Sequence, residues 1–366
     1  MKLEQIQKRI KQLEPLQELK LAGQQFVKQD FTTGTFIKCD LRGVNLSGAN
    51  LQECSFVECD FSDGNLSSTN LKIATFYRCN LSRVSLSHAM ATGVCFNECQ
   101  LTEAQGQDIN LEHGNLISCD LTLSNFKRAN LTQGGLIKCS FENCDLSHAV
   151  LNQTTFYIAD LRRVIFDKLN ANRCVFTQSD LAGQNLSNAH LSYCQFMEAN
   201  LQEINFSGSI LNNSNFKSAN LLSARFNGAQ ARQTLWIEAQ LKKADFSHAQ
   251  LSQSVWVGAK ARQGCFIQAD LTEAVLQKAD FSQCDFSAAL LRYADLAYAD
   301  LRYSNFKNAD LLRATLRGAY LEEALQLDRS RVTPDDAATL QAENWKPSTK
   351  SNPASNPFTK TERYAY

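Results

Sequence analysis

Large apolar residues recur along this chain at every fifth position, separated by four positions that are small or polar, from Phe26 to Leu321. Cut from Cys39, the chain reads CDLRG VNLSG ANLQE CSFVE CDFSD GNLSS TNLKI ATFYR CNLSR, and the same register holds from Gln24 to Glu323, sixty consecutive pentapeptides without an insertion. With the large residue as position i, only Ala91, Gly106, Ala171, Ala231 and Ala261 depart from Leu, Phe or Trp at that position. A period of five matches neither the 3.6 of a helix nor the 2 of a simple strand. It marks a repeat architecture in which each unit completes its core against its neighbours.

Two positions per unit are assigned inward. Position i is large, position i−2 is almost always Ala, Cys, Ser, Gly, Thr or Val, and the residue between them is often Asp or Asn. A large and a small apolar residue flanking one polar residue suits a narrow axis filled at native packing density. The remaining three positions face water.

Units such as ANLQE, ANLTQ, ADLRR, ADFSH, ADLTE, ADFSQ, ADLAY and ADLLR carry the pattern A-(D/N)-L-x-x, which resembles the pentapeptide repeat family over most of the chain. The resemblance implies an all-β solenoid, a right-handed quadrilateral β-helix in which four pentapeptides form the four faces of a square coil. Residues twenty apart would then stack, giving about 15 coils and, at roughly 4.8 Å per strand, a rod on the order of 70 Å long. Stability would come from contacts between adjacent coils.

Sorting by twenty separates the faces. One carries Phe36, Phe56, Phe76 and Phe96, then Leu116 and Leu136, then Phe156, Phe176, Phe196 and Phe216, and then Trp236 and Trp256. A second turns aromatic from Phe206 through Phe306. Stripes of this regularity read as core, not as a cofactor site.

The ends differ from the middle. Leu3, Ile6, Ile10 and Leu13 recur at helical spacing, so residues 1–18 are expected to form an amphipathic helix ended near Pro15 that caps the first coil. An open coil end would otherwise expose strand edges and core. Docking of a partner or dimerisation through this terminal element is the alternative. The β-helix is assigned to 19–323. Residues 324–345 form a C-terminal cap with a short helix opened by Thr333, Pro334 and Asp336, and 346–366 read as a disordered tail. Phe358, Tyr364 and Tyr366 in that tail leave a docking peptide as the alternative.

Charge and chemistry add constraints by exclusion. Lys plus Arg and Asp plus Glu both number 37, so no net field directs the chain toward nucleic acid, and no direct nucleic-acid binding is expected. The charged amino terminus lacks the continuous apolar run of a signal peptide or membrane span, so the protein is expected to be cytoplasmic, with no membrane partner. Of 13 cysteines, most occupy position i−2, and Cys39, Cys59, Cys79, Cys99, Cys119 and Cys139 form a ladder at one-coil spacing. Such cysteines read as small buried hydrophobes, with a metal or redox role for the ladder as a remote alternative. Cys95 and Cys265 lie at i−1 and are the expected accessible thiols. The histidines fall at outward positions. No phosphate-binding loop, zinc-protease helix, nucleophile elbow or dinucleotide fingerprint is present. No enzyme activity, catalytic residue, metal or cofactor is expected.

The functional expectation is therefore a non-enzymatic scaffold that positions one or more protein partners. Tyr293, Tyr298 and Tyr303 occupy the last position of three successive units, with Tyr320, Arg292 and Arg302 nearby, and Tyr and Arg are enriched at interfaces. These six residues are the candidate contact surface, although successive units lie on different faces and the tyrosines would ring the rod. The family resemblance further implies two contexts, an association with bacterial secretion machinery and, alternatively, a DNA-like modulator of gyrase or another topoisomerase that protects it from quinolones. The second would call for a strongly acidic surface.

Overall fold

The computed structural model describes residues 2–167 and 169–334. Among the described residues, one helix, α1 (Leu3–Lys11), precedes eight short strands. These are β1 (Leu16–Gln17), β2 (Thr35–Ile37), β3 (Ser55–Val57), β4 (Thr75–Tyr77), β5 (Cys95–Asn97), β6 (Asn115–Ile117), β7 (Gly135–Ile137) and β8 (Thr155–Tyr157). They pair in parallel and in sequence order, with Phe36 opposite Phe56 and Phe56 opposite Phe76. Three further columns of single parallel bridges run at the same twenty-residue step, through Lys20↔Asp40, Gln25↔Asn45 and Asp30↔Asn50, and the last bridge is Asn305↔Leu325. The chain is a parallel β-solenoid with four faces per twenty residues.

The repeat follows from where each backbone group finds a partner. Leu41 N–H donates to Asp60 O at 2.8 Å, Asp60 N–H to Cys39 O at 3.1 Å and Gly43 N–H to Ser62 O at 2.8 Å, all between coils. Val44 N–H closes the corner on Leu41 O at 3.1 Å. The amide at i+1 is left over, and the Asp or Asn at i−1 accepts from it. Ser62 N–H donates to Asp60 Oδ1 at 2.9 Å, Ser67 N–H to Asn65 Oδ1 at 3.0 Å, and Thr122 N–H to Asp120 Oδ1 at 2.9 Å. The Asp and Asn residues at i−1 thus form Asx turns that satisfy a donor the coil-to-coil ladder cannot reach.

Corners impose a second requirement. Position i+2 has positive φ along nearly the whole solenoid, for example Glu53 at 57°, Ile73 at 57° and Tyr293 at 58°. This left-handed region suits Gly, Asn and Asp and disfavours β-branched residues. The coil closes only with this turn, so pairing between coils holds unfavoured residues in it.

Positions i and i−2 are buried along most of the solenoid as the sequence predicts, with exceptions at Gln24 and Gln29 near one end, at Phe166, and at Ala309, Ala319 and Leu321 near the other. Phe156, Phe176, Phe196 and Phe216 stack at 4.9–5.3 Å, and Phe216, Trp236 and Trp256 continue the column at 4.3 and 5.0 Å. The two indoles need partners for their N–H groups. Trp236 Nε1 donates to Thr234 Oγ1 and Trp256 Nε1 to Ser254 Oγ, each at 2.7 Å, so the polar residues at i−2 serve the tryptophans. The small centres make room for large neighbours. A Cβ at Gly106 would collide with the Phe126 ring, and Ala231 and Ala261 are the adjacent centres to Trp236 and Trp256. Ala171 follows Leu169, a large residue in the small position, and nearby Phe166 is only partly buried.

The amino-terminal helix covers the first coil through Ile6 and Ile10, with Ile10 lying over Gly34. It is shorter than the 1–18 segment. Leu13 is outside it, with φ of 57°, and is 81% exposed, so it does not share the apolar stripe. Pro15 cannot continue a helix, and Leu16, a residue in the five-residue register, enters β1 paired with Phe36. At the other end Thr333 bonds the last coil, its N–H donating to Ala314 O at 2.9 Å and its hydroxyl to Arg313 O at 3.0 Å. The expected helix after it and the 346–366 tail lie outside the described residues.

Two stability measurements check these assignments. Thr234→Val leaves the buried Trp236 N–H unpaired and is expected to cost about 1–3 kcal/mol, read as a lower urea midpoint, whereas a surface threonine change would leave the midpoint in place. Ile73→Asn removes an exposed β-branched side chain from the left-handed region and is expected to raise stability by roughly 0.5–1 kcal/mol, read as a higher melting temperature although a hydrophobic residue is lost.

Candidate interaction surface

The cysteine ladder is part of the packing. Cys39 Sγ donates to Leu16 O at 3.3 Å, Cys99 Sγ to Phe76 O at 3.3 Å and Cys139 Sγ to Leu116 O at 3.3 Å, and all six ladder cysteines are buried and free. Burial pushes the thiols of Cys54 and Cys144, neither of them in the ladder, up to about 12, which disfavours the thiolate at those two positions. Cys95 and Cys265 are half-exposed, as their i−1 positions predict. Among the described residues, no group of His, Cys, Asp and Glu is arranged to hold a metal ion. No described helix is long and apolar enough to cross a membrane.

A surface cleft of about 590 Å³ lies over Glu142, Asp160, Arg162, Arg163, Ala182 and Gly183. Its charges are mutually compensated. Arg162 pairs with Asp160 at 2.6 Å and lies 3.7 Å from Asp180, while Arg163 pairs with Glu142 at 2.6 Å. The Arg162 hydrogen bond holds the Asp160 carboxyl below the usual carboxylate range. Such a cleft offers neither an uncompensated charge for an ionic ligand nor an apolar lining.

The tyrosine end disperses as its spacing implies. Tyr293, Tyr298 and Tyr303 stand at three successive corners, each in the left-handed region and each 38–53% exposed. Their neighbours lie in the next coil: Arg313 sits 5.9 Å over the Tyr293 ring and Arg317 5.9 Å over the Tyr298 ring, beside Gly318. Arg292 and Arg302 are engaged by carboxylates, Arg292 with Asp310 at 2.5 Å and Arg302 with Asp300 at 2.7 Å. Tyr320 is 61% exposed at a different position, bridged to Asp300. The three tyrosines thus occupy three different corners, while Tyr320 stacks over Asp300, the partner of Arg302.

A different surface is continuous. The strands β2–β8 bury their central residue and turn the residue after it outward; the residue before it is outward too, except at β7, where Gly135 is buried. The outward i+1 column reads Ile37, Val57, Tyr77, Asn97, Ile117, Ile137 and Tyr157, one residue per coil and half-buried throughout. The corner beside it carries Lys38, Glu58, Arg78, Glu98, Ser118, Lys138 and Ile158. Lys38 lies 3.6 Å from Glu58 and Arg78 2.7 Å from Glu98, and Arg78 also covers Tyr77 at 4.9 Å. Beyond β8 the same face closes its corner with a hydrogen-bonded turn, Ser179 N–H to Phe176 O at 3.1 Å, and pairing falls to single bridges. Seven extended strands therefore present a stripe of Ile, Val and Tyr, broken by Asn97 at its middle and flanked by charges. Reading the repeat one unit at a time missed it. Sorting the i+1 position by twenty would have exposed the column.

The model of the pentapeptide repeat region matches residues 29–106 and 155–226, and that of pentapeptide repeats matches 107–134, 224–255, 257–292 and 289–325. Among solved structures, a trypsin-treated variant of QnrB1, a plasmid-mediated fluoroquinolone resistance protein, is 26% identical over 49% of this chain and 90% of its own, with a TM-score of 0.31. HetL, a pentapeptide repeat protein involved in heterocyst differentiation regulation in the cyanobacterium Nostoc sp. strain PCC 7120, is 20% identical over 87% of this chain and 98% of its own, with a TM-score of 0.16. A pentapeptide repeat protein of the Arabidopsis thaliana thylakoid lumen is 30% identical over 25% of this chain and 61% of its own, with a TM-score of 0.18. No curated protein matches the sequence. The ladder of Asx turns, the paired inward positions and the family matches along the solenoid have one meaning: this chain belongs to the pentapeptide repeat family.

Proposed function

We propose that the protein is a non-enzymatic scaffold that binds protein through the outward face of β2–β8. The observation that carries this reading is the column of half-buried Ile, Val and Tyr, broken once by Asn97, on the outward side of seven paired strands. Soluble monomers seldom leave long apolar patches uncovered, and patches rimmed by charge mark protein contacts. The ordered strands cost nothing further to arrange on binding, which favours association.

The DNA-like reading finds less support in the surface. The acidic column at i−1 that runs through Asp40, Asp60, Asp120 and Asp160 is interrupted by Asn80, Gln100, Ser140 and Asn200, and Asp40, Asp160 and Asp300 are each bonded to an arginine. A protein partner met by apolar contact fits the molecule better than one that reads a continuous negative stripe.

Affinity capture from the native host tests the reading. A Val57→Lys/Ile137→Lys chain is expected to lose the proteins captured by the wild type, while a Tyr293→Ala/Tyr303→Ala chain retains them and both melt as the wild type does. Capture of the same proteins by the Val57→Lys/Ile137→Lys chain would refute it.

A further inference from the structure

We infer that the partner of this face is a second copy of the chain, packed antiparallel and face to face about a two-fold axis at β5; the inference rests on the protein-binding reading of the same surface. The first reason is commensurability. Side chains on the stripe repeat at the coil spacing, and another solenoid face repeats at the same spacing, so every coil meets a coil without drift along the contact. A helix, with its 5.4 Å turn, loses register over seven coils.

The second reason is the order of residues along the column. With the axis at β5, Tyr157 faces Ile37 of the second copy, Ile137 faces Val57, Ile117 faces Tyr77, and Asn97 faces itself. Each apolar residue meets an apolar residue, and the one amide of the column meets its own counterpart, where the two can hydrogen bond. Displacing the axis by half a coil, to lie between β4 and β5, would set Asn97 against Tyr77.

Charge on the adjacent corner agrees with the same axis. Glu58, which lies 3.6 Å from Lys38 of its own chain, faces Lys138 of the second copy, and two-fold symmetry makes this contact twice; the same axis sets Lys38 against Ile158, whose side chain the lysine's methylene stem can cover. The Glu98 carboxylate approaches its own counterpart near the axis, each compensated by its own Arg78 at 2.7 Å. Seven strands give a contact of roughly 900 Å² over both copies, below the size of a stable specific interface and in the range of weak, transient contacts, as a reversible dimer requires.

The axis also places Cys95 opposite Cys95. This thiol is half-exposed, on the outward side of β5, and Cys265 is the other half-exposed one. In a Cys265→Ser background, oxidation with copper phenanthroline and oxygen should therefore link two chains through Cys95. Each disulfide gives two electrons and two protons to the oxidant.

Sedimentation equilibrium of the full chain from about 1 to 100 µM is expected to show a reversible dimer. Glu58→Lys should weaken it by about tenfold, and Glu58→Lys/Lys138→Glu should restore it. The cross-link should form in the Cys265→Ser chain and vanish when Cys95→Ser is added. A monomer across the whole range would overturn the inference, as would a dimer indifferent to these changes, which would place the contact elsewhere, for example at the terminal elements. If the chain is monomeric while Val57→Lys/Ile137→Lys still abolishes capture from the host, the protein-binding reading stands and only the identity of the partner falls.

Discussion

The hydrogen bond between residues about twenty apart is the interaction on which the rest of the molecule depends. It fixes which backbone groups are satisfied by the next coil and which are left over. The left-over amide at i+1 calls for an Asp or Asn at i−1, as Asp60 shows with Ser62. The corner that returns the chain to the next face calls for a left-handed residue at i+2, even where that residue is Ile73 or Tyr293. The narrow space enclosed calls for a large and a small residue at i and i−2. One ladder thus sets the chemistry of four of the five positions, and residues that resemble sites in isolation, including the aspartate and cysteine columns, are consequences of it.

Variation within the core is compensated locally. Trp236 and Trp256 enlarge their column beside Ala231 and Ala261, and Thr234 and Ser254 bond their indoles. Gly106 yields its space to Phe126. Leu169 in the small position, with Ala171 at the centre, reverses the usual order, and Phe166 is left partly exposed. Because each coil contacts only its neighbours, such adjustments stay within a coil or two.

Much of this was legible in the sequence because the period speaks for it sixty times over. The inward positions, the core role of the cysteines and aromatic columns, and the capping role of Ile6 and Ile10 all follow from spacing. Leu13 was misplaced because helical spacing alone does not show where a helix stops; Pro15 and the start of the five-residue register at Leu16 decide that. The tyrosine end stands out by residue type, and its three successive tyrosines occupy three different corners. The Ile37 to Tyr157 column was hidden because its members lie twenty apart and are outnumbered by polar residues at i+1 on the other faces. Function on a solenoid is written across coils, whereas the sequence is read along them.

The central claim is that a twenty-residue register of stacked coils holds the molecule together, and deletion variants measure it directly. Removing residues 199–218, one complete coil, returns every downstream residue to its own column. Removing Ser207 alone shifts every downstream side chain by one position, which turns polar residues inward. Circular dichroism with thermal melting should show the one-coil deletion folding with the β-signature and cooperative melt of the intact chain, and the single-residue deletion losing both. A Ser207 deletion that melts like the intact chain, or a one-coil deletion that fails to fold, would contradict the account.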